Sequence, residues 1–322
     1  MWKIGNIEIK SRVVLAPMAG ITSFAYRNFM KQFGVGLSVT EMISDCGLIY
    51  GNEKTIDYLK MSDEEQPVAV QLFGSDSKNV CKAIDIVLEK NPNVKIIDIN
   101  LGCPVPKVTK TGAGSSLLKD PVKLGKFMTE ICQYSPVPIT AKIRLGWDSN
   151  SINFLENIVV LEKAGVKAIA IHARTTVQGY SGKANYELLR NLKEKMNVPL
   201  IISGDIFTVD DAINALKITG ADAVMVARGG VGNPYLVHQI NSYLNNGKIE
   251  KNVSLDTNIK YLITFMDMLI LEKGERQAMS ILRGIAPEFL NNYPGTKNLK
   301  NIICQTITSR DSLMRILESI DK

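Results

Sequence analysis

The sequence predicts an α/β chain: a (β/α)8 TIM barrel over residues 1–245, followed by a small all-helical domain over 246–322. Three observations lead there. Eight short runs rich in β-branched and apolar residues recur at 13–15, 37–40, 68–73, 96–99, 139–143, 168–171, 200–202 and 223–226. Helical periodicity fills several of the intervals, at 78–90, 122–133, 153–164, 185–195 and 209–219. The alternation stops at Asn245, Asn246 and Gly247, and only helical patterns follow, at 257–273, 276–290, 295–305 and 309–320. Strands that are apolar along their whole length belong to a parallel sheet covered on both faces. Eight βα units within roughly 250 residues fit a closed barrel better than an open doubly wound sheet.

Each strand in turn hands over to polar or glycine residues. In chain order these are Ala16-Pro17-Met18-Ala19, Glu41-Met42, Gly74-Ser75-Asp76, Asn100-Leu101-Gly102-Cys103-Pro104, Arg144-Leu145-Gly146, His172-Ala173-Arg174, Ser203-Gly204-Asp205 and Ala227-Arg228-Gly229-Gly230. In a barrel they share one rim, the face on which such enzymes keep their chemistry. Beyond the barrel, Gly274 and Pro294-Gly295 punctuate the helices.

Composition narrows the class. With 45% hydrophobic and 22% charged residues the chain is neither disordered nor fibrous. The longest apolar stretches, 13–21 and 262–271, fall short of the roughly 20 residues of a membrane span, so no membrane association is expected. No long apolar run backs the N-terminal lysine, which speaks against a secretory signal. Five cysteines, at 46, 81, 103, 132 and 304, form no CxxC pair, and there are two histidines. No metal centre is expected, and a reducing, cytoplasmic setting fits. A net charge of +6, spread over both parts, permits a polyanionic partner.

Cys103 stands out among the cysteines. It lies past a strand end, between Gly102 and Pro104, and leads into a loop with Lys107, Lys110, Gly112 and Gly114. A free cysteine is commonly a small buried hydrophobe, but position at the rim favours function. The other four sit within or beside helical patterns and are read as packing. Lys142 and His172 end the fifth and sixth barrel strands. A lysine closing an apolar strand is costly to bury without an anion, so it pairs with a carboxylate or faces a ligand. His238, within a helical pattern, is read as structural. The turns at Ser203-Gly204-Asp205 and Ala227-Arg228-Gly229-Gly230 offer backbone amides for a phosphate, where barrels build such sites. Gly112-Ala113-Gly114 lacks a third glycine and follows a loop, so it is not a dinucleotide fingerprint.

Taken together, these stretches resemble the tRNA-dihydrouridine synthase family, with its bacterial B-type branch the most similar. The resemblance is carried by Ala16-Pro17-Met18-Ala19-Gly20-Ile21-Thr22, Gln71-Leu72-Phe73-Gly74, Asn100-Leu101-Gly102-Cys103-Pro104, Gly112-Ala113-Gly114-Ser115, Lys142-Ile143-Arg144-Leu145-Gly146-Trp147, His172-Ala173-Arg174-Thr175, Gly229 to Pro234, and Arg283 to Gly295. It implies FMN over the barrel mouth, NADPH as reductant and tRNA as substrate, with a monomer expected. By the same resemblance Pro17, Met18 and Ala19 line the isoalloxazine, Gln71, Lys142 and His172 contact the flavin, and Ser203, Gly204, Asp205, Ala227 and Arg228 hold its phosphate end. Ser203 and Ala227 depart from the asparagine and glycine usual in the family.

The mechanism that the resemblance implies gives hydride from flavin N5 to C6 of a flipped-out uridine, and a proton from Cys103 to C5. A thiol of ordinary pKa, about 8.5, is mostly protonated at neutral pH and can act as that acid. Asn100 and Arg174 are the expected grips on the base. Lys107, Lys110, Lys297, Lys300 and Arg283 are available to RNA phosphates. The alternative is a free-pyrimidine flavin oxidoreductase of the dihydroorotate dehydrogenase kind, which would need no helical appendix.

Overall fold

The computed structural model describes residues 1–291 and 293–319. A hairpin of β1 (Trp2–Ile4) and β2 (Ile7–Ile9) precedes the barrel strands β3 (Val13–Leu15) and β4 (Leu37–Val39). A two-residue strand, β5 (Ile43–Ser44), pairs with the end of β6 (Val68–Phe73). Then come β7 (Ile96–Asn100), β8 (Ile139–Arg144), β9 (Ile169–His172), β10 (Leu200–Ser203) and β11 (Ala223–Val226). Neighbouring strands from β6 to β11 pair in parallel in chain order, β11 pairs with β3, and the β4–β6 pairing closes the ring. The chain is therefore a closed eight-stranded parallel barrel followed by helices.

Strand alternation decides what the barrel holds. Val14, Leu37, Ala69, Ile96, Ala168, Ile201 and Ala223 form one buried cluster with Ile4 and Ile9 of the hairpin. The hairpin thus stoppers the N-terminal end of the barrel. Two residues further along the same strands the inward positions turn polar: Gln71, Asp98, Thr140, then Asn100, Lys142 and His172. Register sets Asp98 between Gln71 and Thr140, Asn100 beside Lys142, and Arg144 beside His172. A period of two therefore lifts apolar filling into a polar floor within one strand length.

Helices α1 (Phe24–Lys31), α2 (Asp45–Ile49), α3 (Glu53–Asp57), α4 (Ser77–Lys90), α5 (Pro106–Thr109), α6 (Pro121–Tyr134), α7 (Phe154–Ala164), α8 (Val209–Thr219) and α9 (Tyr235–Asn246) belong to the barrel region. Side-chain caps open several of them: Asp76 accepts from the Asn79 amide before α4, Asp120 from Lys123 before α6, and Thr208 from Asp211 before α8. The helix expected at 185–195 is instead two 3₁₀ turns, Glu187–Leu189 and Leu192–Lys195. Asn191 between them takes a left-handed φ of 54° and donates its amide to the Ile218 carbonyl, which interrupts any continuous helix.

Four helices follow: α10 (Leu255–Lys273), α11 (Glu275–Ile285), α12 (Lys297–Thr306) and α13 (Arg310–Glu318). The helix expected to run to Leu290 stops at Ile285 and tightens into a 3₁₀ turn, because Pro287 carries no amide hydrogen. The expected helix end at Ile320 lies outside the described residues. Phe265 of α10 and Phe289 stack on one another, both meet Phe29 of α1 with tilted rings, and Tyr26 meets Phe265 edge-on. Lys273 closes α10 with contacts to Asp57 at 2.6 Å and Glu272 at 2.8 Å, while Glu272 accepts the Ala25 amide. Among the described residues no helix is long and apolar enough to cross a membrane.

One buried ion pair fixes the turn after β3. Arg27 reaches Glu65 through two contacts, 2.8 and 3.1 Å, and also donates to the carbonyls of Thr22 and Lys60. Arg27→Met should cost about 3–5 kcal/mol, since it strands a buried carboxylate. Urea unfolding followed by circular dichroism would read this as a lowered midpoint.

Candidate active site

At the C-terminal ends of the strands lies a cavity of about 370 Å³, and most of the residues expected to carry chemistry line it. Pro17, Met18 and Ala19 enter from the end of β3, where the Thr22 hydroxyl accepts the Met18 amide. Gln71, Asn100, Lys142 and His172 form the floor; Ser203, Gly204 and Asp205 with Ala227 and Arg228 form one wall, and Cys103 another. Lys107 and Lys110 lie outside the cavity, in and at the end of α5, the short helix that follows Cys103.

Cys103 is 9% exposed, beside Val108 and Ala113. Burial pushes its thiol above the usual range; the Val105 amide, Arg144 and Lys142 offset only part of this. The thiol is therefore protonated at neutral pH, as an acid must be. Its backbone is pinned from both sides: Asn100 Oδ1 accepts its amide at 2.9 Å, and its carbonyl accepts the Ser115 hydroxyl at 2.8 Å. Gly114, at φ +61°, lies so close to this carbonyl that a Cβ there would stand 3.1 Å from it.

The Lys142 side chain makes no hydrogen bond or ion pair among the described residues, although it lines the floor. Burial, then the Arg144 charge, pushes its pKa down to about 8, against the pull of Asp98 and Cys103. His172 is held neutral by burial and by the cations Lys142, Arg144, Arg174 and Arg228. Its Nε2 sits 3.3 Å from Arg174 Nη1, so a neutral ring accepts there and carries its hydrogen on Nδ1.

Arg174 does not take the substrate-gripping position expected of it. It is 1% exposed and outside the cavity lining; it donates to the carbonyls of Ser181 and Gly182 and to Asp205 at 2.7 Å. Its amide turns back to the His172 carbonyl at 2.7 Å, which ends β9 and swings the side chain out of the inward series. Asp205 is correspondingly committed: its carboxylate meets Arg174, the Ala184 amide and, at 3.4 Å, Arg228, which hold its pKa below the usual range. Its φ of 47° is left-handed, a strained setting for a side-chain residue.

Gly204 has φ +119°, and a Cβ on it would lie 2.9 Å from His172 Cδ2. The wall there is bare backbone, and neither the Gly204 nor the Asp205 amide meets an acceptor among the described residues. Arg228, half exposed, stands over the same turn. This is a cradle suited to an anion.

Arg144, placed on the rim by its strand end but given no role there, and Tyr180, which no motif marked, also line the cavity. Arg144 lines the cavity yet spends its donors on the carbonyls of Gly102, Thr175 and Gly179. It sits two residues beyond Lys142, and that period of two is the signal that could have marked it. Tyr180 comes from an irregular loop, with Arg228 5.0 Å and Arg144 5.6 Å from its ring centre. Elsewhere, His238 lies 3.1 Å from Glu250 and stacks on Tyr235. Cys46 and Cys304 are exposed rather than packed.

A parallel barrel whose C-terminal rim gathers an unpartnered lysine, a buried thiol and a bare backbone cradle around one cavity has the architecture of the (β/α)8 enzymes. The chain is a member of the dihydrouridine synthase family, whose model, described as "Dihydrouridine synthase (Dus)", matches residues 14–321, and it is thereby an oxidoreductase. A probable tRNA-dihydrouridine synthase of Rickettsia bellii is 32% identical over 99% of both chains. A tRNA-dihydrouridine synthase B of Pasteurella multocida is 36% identical over 88% of each. Among solved structures, histamine dehydrogenase from Rhizobium sp. 4-9 superposes with a TM-score of 0.60 at 14% identity, covering 83% of this chain and 50% of that one. That likeness concerns the fold.

Proposed function

We propose that the protein is an FMN-dependent tRNA-dihydrouridine synthase that reduces the C5–C6 double bond of particular uridines, with NADPH as reductant. The observation that carries this reading is a protonated, buried thiol facing the same cavity as a cation without a partner. The names of the Rickettsia and Pasteurella relatives support it.

The residues present fit FMN. Lys142, charged below pH about 8, suits the N1–C2 carbonyl edge of a flavin, where reduction places negative charge. Gly204 and Asp205 offer backbone amides, and Arg228 a guanidinium, to a phosphate. The Asp205 side chain, turned toward Arg174, contributes only its amide. Pro17, Met18 and Ala19 give the ring system an apolar rim. When bound, FMN supplies the hydride that adds to C6 of the uracil.

Cys103 completes the reduction. As C6 gains hydride, the π pair of the C5–C6 bond takes the thiol proton at C5, the S–H bond breaks, and the thiolate is reprotonated from water. Asn100 and Gln71 orient acceptor groups of the ring from the floor. Extracting a uridine from folded RNA costs a few kcal/mol, which contacts outside the barrel offset. Residues 246–322 are read as the part that holds the RNA, with Lys107 and Lys110 beside the reacting base. Arg283 is not counted among those contacts: it donates twice to the Ile307 carbonyl. Lys300 donates to Asn291 Oδ1.

The reading is tested by incubating the FMN-loaded protein with unmodified tRNA and NADPH. Nucleosides from digested RNA should show uridine gaining two hydrogens. Equal reduction of free uridine would remove the tRNA specificity, and no reduction of either would remove the reading.

A further inference from the structure

The mechanism above leaves one buried carboxyl group unused. Asp98 lies inside the barrel, 4% exposed, one layer below Asn100 and Lys142. It accepts Thr140 Oγ1 at 2.5 Å through Oδ1 and Gln71 Nε2 at 2.6 Å through Oδ2. Gln71 Oε1 in turn accepts Asn100 Nδ2 at 2.8 Å, and Asn100 Oδ1 accepts the amides of Cys103 at 2.9 Å and Gly102 at 3.2 Å. The line runs unbroken from the barrel interior to the backbone of the candidate proton donor.

The direction of this line is not free. Burial raises the pKa of Asp98, and whether it is ionised or carries a proton on Oδ1 toward Thr140, its Oδ2 accepts, so Gln71 turns its NH2 toward Asp98 and its oxygen toward Asn100. A backbone amide only donates, so Asn100 must turn its oxygen toward Cys103. Both ends demand the same orientation of the two intervening amides. Reversing either would set like groups face to face.

We propose that Asp98 is a positioning residue that fixes both amide orientations from below and so holds the Cys103 loop at its station over the floor. It touches neither the reacting base nor the cofactor. A consequence follows for the mouth: the Asn100 oxygen already accepts two amides and the Gln71 oxygen already accepts Asn100 Nδ2, so with Lys142 the floor is weighted toward donors. It is thereby set to meet carbonyl oxygens. The assignment of Cys103 as acid rests on the function proposed above; the stationing of the loop does not.

The test uses two variants and a readout that needs no turnover. Asp98→Asn can keep the line, its oxygen accepting from Gln71 and its NH2 donating to Thr140 Oγ1. Asp98→Ala cuts it. In flavin-free protein, alkylation by iodoacetamide is followed on the Cys103 peptide by mass spectrometry, so that Cys46 and Cys304 do not interfere. Asp98→Ala should raise the Cys103 rate at least tenfold, and Asp98→Asn should leave it within twofold of wild type. In FMN-loaded protein, kcat on tRNA should fall at least tenfold in Asp98→Ala with KM within twofold, and recover in Asp98→Asn. Should Asp98→Ala fail to fold, Gln71→Met cuts the line one step higher and should expose Cys103 equally. Wild-type alkylation in Asp98→Ala, or in Gln71→Met, would overturn the proposal. Faster alkylation together with a wild-type enzyme inert on tRNA would uphold Asp98 and overturn the enzymatic reading instead.

Discussion

Cys103→Ala should slow uridine reduction by about two to four orders of magnitude, the usual worth of a positioned general acid, while flavin binding and its reduction by NADPH continue unchanged. The thiol lies against the cavity with its pKa raised by burial, so the alanine variant removes a proton that no neighbour can replace. His172 is held neutral with its Nε2 toward Arg174, and Arg144 is committed to the carbonyls of Gly102, Thr175 and Gly179. Stopped-flow absorbance separates the two halves: loss of the flavin band on adding NADPH should match wild type, and its return on adding tRNA should nearly vanish. A variant that reoxidises with tRNA at the wild-type rate would remove Cys103 from the chemistry.

Lys142→Met should weaken FMN binding by roughly 10- to 100-fold, the worth of one charge-assisted contact of about 1.5–3 kcal/mol. The wild-type protein should also show a pH signature that the variant lacks. Free Lys142 loses its proton through pH about 8, so a ligand that needs the cation must recover that proton on binding. Affinity for FMN should therefore fall about tenfold per pH unit above that point, and stay flat in Lys142→Met. Stability moves the other way. The ordinary lysine value is 10.5 and the folded value about 8, so the folded chain sheds its proton first. Unfolding free energy then rises between those two pH values and is level below the lower one. Fluorescence titration of flavin-free protein across pH 7–10 measures the first effect, and urea melts over the same range the second.

Much of this arrangement was legible in the chain. Eight apolar runs located every barrel strand to within a residue or two, because strands buried on both faces admit little else. The polar residue at each run's end then marked the rim, and thirteen of the candidate residues named from the sequence line one cavity. What escaped did so for physical reasons. Arg174 follows His172 at the spacing of a common strand face, and nothing local announces the tight turn at Ala173 that throws it outward. Asp98 is hidden in an otherwise apolar run, where its partners Gln71 and Thr140 are far away in sequence and adjacent only through register. The 185–195 segment has helical periodicity, but a left-handed Asn191 depends on a carbonyl from α8 that no window of sequence contains. The N-terminal hairpin went unread because three-residue strands carry too few alternations to stand out.

That hairpin bears on the order of events. With Ile4 and Ile9 filling the far end of the barrel, the chamber is closed on that side. A reductant and a macromolecular substrate that both need the same ring cannot queue at opposite sides; one must vacate before the other is seated. Initial-rate plots against one partner at several fixed levels of the other should accordingly give parallel lines, the mark of a turnstile rather than a corridor.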